Sequence, residues 1–414
     1  MSYKNIDRKI WNVIFSEAAI QLVNGALMLI LLLYLKTKGY SDADNAQFFA
    51  SRFLGVLFFS LPFGLYIRTK KLAIFFKIAT LLLPIVTILS VFAIEAKQDW
   101  LIIGAFLLWG VIFSLAEITK IPFIMRNAKK ENLTQSITLA YITWSFGAVL
   151  SGVLIFSLST LSAGFFDHKT CIITIALISL IGVYFSFGIR NEVDPNIELA
   201  LKEDKEIGEK RYDWKLITKA LLPTFIIAVG AGMSVPFIPL FFNDVFQVDY
   251  RVFSGYGFIA YTCVFAMMFF APNIKDKFGM RWGIPISQTF AIGCLVTLAV
   301  MEFNSSWSWA LIVAIIAYIL RQPFMSIAQP LTTEVIMKFV GKNNHEITAS
   351  LMALIWNGSF VVSSIAFGLM RQNNIPYAVI FLCTSTLYAI AIIWYQFLIV
   401  KVEKMEKAEL LIEN

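Results

Sequence analysis

Long apolar stretches follow one another along the whole chain, and short polar segments separate them. Each stretch is about 20 residues long, which is the length that an α-helix needs to cross the hydrocarbon core of a bilayer. Breaks at charged and turn-forming residues divide the sequence into twelve such helices. They are predicted at residues 10–35, 44–67, 71–94, 99–121, 134–158, 169–189, 217–242, 252–273, 282–303, 307–333, 348–370 and 376–400.

One polar segment is much longer than the others, and it divides the helices into two sets of six. It runs from Arg190 to Lys215 and contains EVDPNIELALKEDKEIGEKRYD. The sequence therefore predicts an N-terminal six-helix bundle at 1–190, a cytoplasmic linker at 191–216, a C-terminal six-helix bundle at 217–400 and a cytoplasmic tail at 401–414.

The two sets of helices share short sequence similarities. Gly25-Ala26-Leu27-Met28 matches Gly230-Ala231-Gly232-Met233, and the Trp144-Ser145-Phe146 segment matches Trp356-Asn357-Gly358. Many secondary transporters are built from such internal repeats. We therefore predict an all-α membrane protein with two pseudo-symmetric six-helix bundles.

Composition agrees with a membrane protein and not with a soluble one. Hydrophobic residues make up 58% of the chain and charged residues only 15%, against about 25% charged residues in soluble domains. The net charge of +7 comes from Lys and Arg concentrated at the N-terminus, in the loops after even-numbered helices and in the tail. The positive-inside rule then predicts that both termini are cytoplasmic in a bacterial inner membrane, and it removes the need for a nucleic-acid partner.

Signals for enzymatic chemistry are absent from the sequence. The four cysteines lie in apolar stretches without a CxxC pair, and His345-Glu346 is not followed by the second His of a zinc protease motif. No GxxxxGK[ST] loop is present to bind ATP. We predict no enzyme activity, no cofactor and no metal site.

A loop in the second half carries a recognisable motif. Residues 272–281 read PNIKDKFGMR, which resembles the Major Facilitator Superfamily motif G-x-x-x-D-R/K-x-G-R/K-R, with Pro in place of the first Gly and Met in place of one basic residue. The corresponding first-half loop, 64–71, keeps the glycine and the positive charge but lacks the aspartate. In helix 5, Gly147 to Gly152 lacks the proline that antiporter-type members show.

This resemblance implies the superfamily fold and transport by alternating access, in which the two halves rock around a central site. It also implies that the loop is a conformational latch. The latch residues would be Asp276, Lys277, Gly279 and Arg281. The Asp276 carboxylate would cap the N-terminus of a neighbouring helix, where the helix dipole favours an anion. The alternative is a short turn whose basic residues only keep it cytosolic.

Helix 1 carries a polar stripe inside an apolar stretch. Glu17, Gln21 and Asn24 lie at i, i+4 and i+7 and therefore on one face. A charge at the centre of a membrane is costly unless it faces protein or water, so Glu17 is a candidate proton carrier. Glu117 and Lys120 in helix 4 lie at a similar depth. In one interpretation, Glu17, Glu117 and Lys120 form a cluster that responds to protonation. In the other, Glu17 is structural, Glu117 pairs locally with Lys120, and the Lys120 side chain extends to the cytosol.

Helix 10 is the second polar segment of interest. Tyr318, Arg321, Gln322 and Gln329 lie in or near one stripe, and Arg321 lies near the membrane midplane. A planar guanidinium at that depth suits a carboxylate or phosphate of a substrate; the alternative is a structural ion pair with Glu17 or Glu117.

Further candidates for lining the cavity lie in helices 5 and 11. Trp144, Trp356 and Asn357 could stack on a flat or sugar-like solute, although aromatic residues in helices usually pack against neighbours. We predict that substrate contacts come from Arg321, Gln322, Tyr318, Asn24, Gln21, Trp356, Asn357 and Gln329, and that Glu17 and Glu117 couple transport to protons.

These patterns favour a secondary active transporter, in monomeric form, that moves a small organic solute of anionic or zwitterionic character together with protons. Multidrug efflux is the alternative within transport and would require a more apolar cavity. A non-transporting membrane sensor on a transporter fold is the alternative from another class of protein.

Overall fold

The computed structural model describes residues 6–40, 42–67, 70–162, 165–189, 212–248 and 250–413, and these residues contain α-helices and short 3-10 turns but no strand. Of the predicted linker at 191–216, residues 191–211 lie outside the described residues. The helices are α1 (Arg8–Thr37), α2 (Asp42–Ile67), α3 (Ala73–Glu95), α4 (Asp99–Asn127), α5 (Leu133–Leu161), α6 (His168–Ser179), α7 (Ile181–Phe187), α8 (Trp214–Ser234), α9 (Ile238–Phe246), α10 (Tyr250–Met268), α11 (Ala271–Phe303), α12 (Ala310–Val340), α13 (His345–Gln372) and α14 (Tyr377–Glu413).

The described helices supply the membrane spans that hydropathy predicts. Ten helical segments are long and apolar enough to cross a bilayer, and the shorter apolar helices Ser51–Ile67 and Gly255–Met268 add two more. The pairs α6–α7 and α8–α9 each form one of these segments. The prediction of an all-α membrane protein is confirmed.

The chain forms two compact units. The first unit comprises Ser2–Tyr212 and Asn343–Leu354, and the second comprises Asp213–Lys342 and Ile355–Asn414. Within the first unit α2 and α3 pack on α4, and α1 and α3 pack on α6; within the second unit α10 and α11 pack on α12, and α8 and α11 pack on α14. The same order of helix pairing recurs, as an internal repeat requires.

Two spans predicted as single helices are interrupted, and the loop predicted between two others is largely helical. Leu180 separates α6 from α7, and a 3-10 turn at Val235–Phe237 separates α8 from α9. Pro236 lies in that turn, where its ring and missing N–H interrupt an α-helix. Within α11, Gly279 has a φ of 67°, which glycine adopts without strain, so the helix reverses there. The last helix continues to Glu413, although the sequence predicts that it ends at residue 400.

A serine and a glycine make the same contact in both units. In the first unit the Ser151 hydroxyl donates to the carbonyl of Leu22, and a Cβ at Gly25 would lie 2.7 Å from the Ser151 Oγ. In the second unit the Ser363 hydroxyl donates to the carbonyl of Val229, and a Cβ at Gly232 would lie 2.8 Å from the Ser363 Cβ. Gly25 therefore corresponds to Gly232, two residues beyond the Gly230 that sequence similarity suggests.

Small residues in α5 allow α1 and α5 to approach closely, as small residues do in membrane bundles. A Cβ at Gly147 would overlap the backbone carbonyl of Gln21, whereas a Cβ at Gly152 would meet only Leu29 Cδ1 at 3.7 Å. The segment from Gly147 to Gly152, which lacks the proline of antiporter-type members, thus packs closely against α1 at Gly147.

We expect Gly147→Ala to destabilise the protein by about 1–3 kcal/mol, because the added methyl group overpacks the contact between α1 and α5. Gly152→Ala is the matched control on the same helix, and its gain in helix propensity should leave it unchanged or slightly more stable. Thermal unfolding of the purified variants measures the difference. Equal melting temperatures would show that α5 can move away from α1 at no cost.

Candidate functional site

The polar stripe of α1 forms a buried hydrogen-bonded chain. Gln21 Nε2 donates to Glu17 Oε1 over 2.8 Å, and Asn24 Nδ2 donates to Gln21 Oε1 over 2.8 Å. All three side chains are at most 3% exposed. The helical spacing of these residues therefore places them in protein and away from lipid, as the cost of a membrane charge requires.

Lys120 joins Glu17 to Glu117. Its ammonium lies 3.3 Å from Glu17 Oε1 and 2.7 Å from Glu117 Oε2. Lys120 is only 4% exposed, so it does not extend to solvent. The structure thus contains the cluster of Glu17, Glu117 and Lys120 and also the local pair one turn apart on α4. The expectation that Lys120 extends to the cytosol is wrong, because two carboxylates hold its ammonium within the bundle.

Arg52 of α2 lies at the end of this hydrogen-bonded chain of side chains that is opposite Glu17. Its Nη2 donates to Asn24 Oδ1 over 2.5 Å, and its guanidinium lies 4.0 Å from the centre of the Trp109 ring. Trp109 is itself fixed by a 2.9 Å hydrogen bond to Thr87 Oγ1. The structure connects Arg52 to Glu17 through the side-chain amides of Asn24 and Gln21.

One atom of the cluster has no partner. Glu17 Oε1 accepts from Gln21 and from Lys120, but Glu17 Oε2 is buried and makes no hydrogen bond with any described residue. A buried carboxylate oxygen without a donor is energetically costly. Lys120 balances the charge of Glu17 at Oε1, so what burial leaves unsatisfied is the hydrogen-bonding capacity of Oε2.

The second unit holds one buried cation of a different kind. Arg321 of α12 is 1% exposed; its Nη2 donates to Tyr388 OH over 3.1 Å and its Nη1 to Gln322 Oε1 over 3.3 Å. No carboxylate lies within ion-pair distance of Arg321 among the residues that the structure describes, and Arg321 Nε makes no hydrogen bond there. Within the first unit Lys120 is the ion-pair partner of both Glu17 and Glu117, and the alternative of a structural ion pair between Arg321 and these carboxylates stays a prediction.

Aromatic side chains pack around the two tyrosines nearest to Arg321 along α12 and in its hydrogen bonding. Tyr318 lies one turn before Arg321, and its ring packs against Phe242 and Phe253 at centroid distances of 5.8 and 5.1 Å. Gly230 makes room for the Tyr388 ring, because a Cβ there would lie 3.1 Å from Tyr388 Cε1. Sequence reasoning misses Tyr388, since nothing in the pattern of α14 separates it from other buried tyrosines.

The remaining predicted substrate contacts are not gathered around Arg321. Trp356, Asn357 and Gln329 are half-buried, and none of them contacts Arg321. The Trp356 ring lies 6.1 Å from that of Phe360. Trp144 is 45% exposed. Their part in binding stays a prediction.

The latch loop of the second half differs from expectation at its aspartate. Gly279 makes the sharp reversal, but Asp276 is exposed and forms no hydrogen bond or ion pair with a described residue. The Lys277 ammonium lies 5.5 Å from the Phe278 ring, and the Arg281 carbonyl accepts from Gln396. The latch role of these residues stays a prediction.

A buried glutamate of α12 takes up the ion pairs near that loop. Glu334 is fully buried, and its Oε1 lies 2.7 Å from the Lys275 ammonium and 2.9 Å from that of Lys338. Lys338 also pairs with Glu406 of the extended α14 over 2.6 Å. The acidic residue that holds the two lysines at this end of the second unit is therefore Glu334.

We expect Glu334→Gln to lower the melting temperature by several degrees and Asp276→Asn to leave it unchanged. Removing the charge of Glu334 leaves two lysines facing each other, although their partial exposure limits the cost to about 1–2 kcal/mol. Differential scanning fluorimetry of both variants tests this. A larger effect of Asp276→Asn would show that Asp276 has a partner in another conformation.

A glutamate from α13 pairs with an arginine that also bonds to the first-half loop. Arg126 Nη2 forms an ion pair with Glu346 Oε1, and Arg126 Nη1 donates to the carbonyl of Lys70 over 3.4 Å. Ser350, one turn after Glu346, donates to the carbonyl of Ser60. The segment Asn343–Leu354 is thereby attached to the first unit.

The buried groups do not form a metal centre. Among the described ranges, no three His, Cys, Asp or Glu side chains come close enough together to hold a metal ion. What the described groups provide instead is two carboxylates that share one lysine, and a buried arginine that has no acidic partner among the described residues.

Twelve apolar spans in two units of repeated pairing, with ionisable side chains buried inside them, define a multi-pass membrane transporter. The family model described as Major Facilitator Superfamily matches residues 13–364. The chain belongs to the Major Facilitator Superfamily, whose members are transporters and not enzymes. No curated protein matches the sequence.

Solved structures of transporters share this fold. A bacterial homologue of the iron transporter ferroportin in an outward-facing state is 13% identical, with a TM-score of 0.74 over 96% of this chain and 100% of that one. The Escherichia coli fucose:proton symporter is 15% identical, with a TM-score of 0.70 over 94% of this chain and 97% of that one. The proton:xylose symporter is 12% identical, with a TM-score of 0.66 and 94% coverage of both chains.

Proposed function

We propose that this transporter moves a small organic solute of anionic or zwitterionic character, and that it couples transport to protons by alternating access. Arg321 carries the proposal: a fully buried guanidinium with no acidic partner among the described residues is stable when a substrate carboxylate or phosphate supplies the charge. Its Nε and Nη2 edge matches the two oxygens of a carboxylate.

The same proposal assigns the other polar side chains. Gln322 and Tyr318 lie beside Arg321 in sequence and would contact the solute there; Gln21, Asn24, Gln329, Trp356 and Asn357 are proposed as further contacts. Glu17 and Glu117 are proposed as the proton-coupling carboxylates. The fucose and xylose transporters of similar fold are proton symporters, which supports proton coupling here.

We also propose the arrangement in the cell. The distribution of Lys and Arg supports an inner-membrane protein with cytoplasmic termini, bundles at 1–190 and 217–400, and a linker at 191–216. The continuous α14 makes the tail at 401–414 largely helical. The working form is proposed to be a monomer.

A ligand screen followed by flux measurement tests this function. Thermal stability of the purified protein is measured with carboxylates, organic phosphates, amino acids, sugars and cationic drugs, and each ligand that stabilises it is offered to proteoliposomes with an imposed pH gradient. We expect stabilisation by an anionic or zwitterionic solute and its accumulation on the alkaline side. A response to apolar cationic drugs alone would favour multidrug efflux, and binding without flux would favour a sensor.

A further inference from the structure

The chain from Arg52 to Glu17 has a direction that its two ends impose. A guanidinium only donates hydrogen bonds, and an ionised carboxylate only accepts them. Asn24 must therefore turn its oxygen to Arg52 and its amino group to Gln21, and Gln21 must turn its oxygen to Asn24 and its amino group to Glu17. The observed contacts follow this order, with distances of 2.5, 2.8 and 2.8 Å.

This order means that every donor in the chain points towards Glu17. In a medium of low dielectric constant, each hydrogen bond polarises the next, so a positive charge at one end strengthens the donor at the other. The ionised form of Glu17 accepts the resulting bond more strongly than the protonated form does. A cation on α2 thereby stabilises a carboxylate on α1 that it does not touch.

The starting point of the chain is held rigidly. The guanidinium of Arg52 lies over the Trp109 ring, 4.0 Å from its centre, and the indole N–H is bonded to Thr87. A Cβ at Gly110 would overlap the backbone carbonyl of Arg52, so α4 and α2 are in contact at this point. The side chain therefore cannot turn away from Asn24 without disturbing a packed core.

Other charged groups around Glu17 come from neighbouring helices. From α4 come Lys120 and Glu117, and from α5 comes Tyr141, whose ring lies 5.9 Å from the Lys120 ammonium. The α3 cation Lys77 lies against the Phe187 ring of α7 at 5.0 Å. Among the described residues, Lys120 is thus the cation that contacts Glu17 directly, and Arg52 is the cation that is connected to it through Asn24 and Gln21. Both connections end at Glu17 Oε1.

We propose that Arg52 is a positioning residue for the proton site: through Asn24 and Gln21 it keeps Glu17 ionised and leaves Oε2 as the atom that takes the proton. The inference rests on the proposed proton role of Glu17 and adds a control element on a different helix. Breaking the chain at any link should let Glu17 hold its proton at a higher pH.

Infrared difference spectroscopy measures this without a known substrate. The full-length protein in lipid nanodiscs is titrated with acid, and the carbonyl stretch of a protonated carboxyl group is followed; the band that Glu17→Gln removes belongs to Glu17. We expect the midpoint of this band to move upward by about one pH unit in Arg52→Gln and in Asn24→Leu, as the loss of one charge-assisted hydrogen bond implies.

Three further variants distinguish an effect transmitted through the hydrogen-bonded side chains from the general effect of a positive charge in the same unit. Arg52→Lys keeps a donor cation and should restore a midpoint close to that of the wild type. Lys77→Gln removes a cation from the same unit without a link to Glu17 and should not move the midpoint. The double variant Arg52→Gln with Asn24→Leu should shift no further than either single change, because both break the same chain.

The results distinguish two failures. If the wild-type protein shows no pH-dependent Glu17 band, the proton role of Glu17 is wrong and this inference ends with it. If the band is present but Asn24→Leu keeps the wild-type midpoint, Glu17 remains a proton site and the relay from Arg52 is wrong. Asn24→Leu leaves every charged side chain in place, so the test stands even if Arg52→Gln does not fold.

Discussion

Glu17→Gln is expected to abolish proton-driven accumulation of the solute while leaving exchange of solute across the membrane intact. Glutamine keeps the size of the side chain and its hydrogen bonding to Gln21, but it cannot carry a proton. With one proton moved per solute, a gradient of one pH unit sustains about tenfold accumulation, and the variant should reach none. Proteoliposomes loaded with solute measure exchange, and empty ones with a pH gradient measure accumulation.

Glu117→Gln is the companion variant in this experiment, because Glu117 is the other proposed coupling carboxylate and shares the Lys120 ammonium, although it is partly exposed. If accumulation survives Glu17→Gln and disappears in Glu117→Gln, the residue that carries the proton is Glu117 and not Glu17. Accumulation that survives both changes would show that neither carboxylate couples transport to protons.

The second large effect is expected at Arg321. Arg321→Ala should weaken binding of the anionic solute by at least thirtyfold, since loss of a buried charge-assisted pair costs roughly 2–5 kcal/mol. Isothermal titration with a solute identified by the thermal screen measures the change. Neutral ligands that bind elsewhere should keep their affinity, which shows that the variant is folded.

Two milder variants locate the interaction. Arg321→Lys keeps the charge but loses the planar fork, so its affinity should lie between those of the wild type and the alanine variant. Tyr388→Phe keeps the ring and removes the hydroxyl that accepts from Arg321, and it should cost only a few-fold. An Arg321→Ala variant with full affinity for the anion would place the binding site elsewhere.

Predictions along single helices agree well with the structure. Apolar length alone locates the spans, and the i, i+4, i+7 spacing puts Glu17, Gln21 and Asn24 on one buried face. Depth along helices of fixed rise brings Glu117 and Lys120 to Glu17. These inferences succeed because they depend on helix geometry, which is the same in every protein.

Contacts that join distant parts of the chain could not be predicted in this way. Nothing in the order of residues shows that Tyr388 accepts a hydrogen bond from Arg321, or that Glu346 forms an ion pair with Arg126. The correspondence between Gly25 and Gly232, in place of the Gly230 that sequence similarity suggests, could not be predicted either. It depends on which glycine of α8 faces Ser363 of α13.

The sequence by itself determined that this protein is a membrane transporter of paired six-helix sets, because the hydrophobic length of a span and the cost of a charge in lipid act on each segment separately. Only the tertiary structure decided which buried charges share a partner. Lys120 holds two carboxylates, Arg52 reaches Glu17 through amides, and in the part of the chain that the structure describes Arg321 has no acid beside it. Such pairings depend on how close two helix backbones come, and small residues such as Gly110 and Gly147 set that distance at the contact itself.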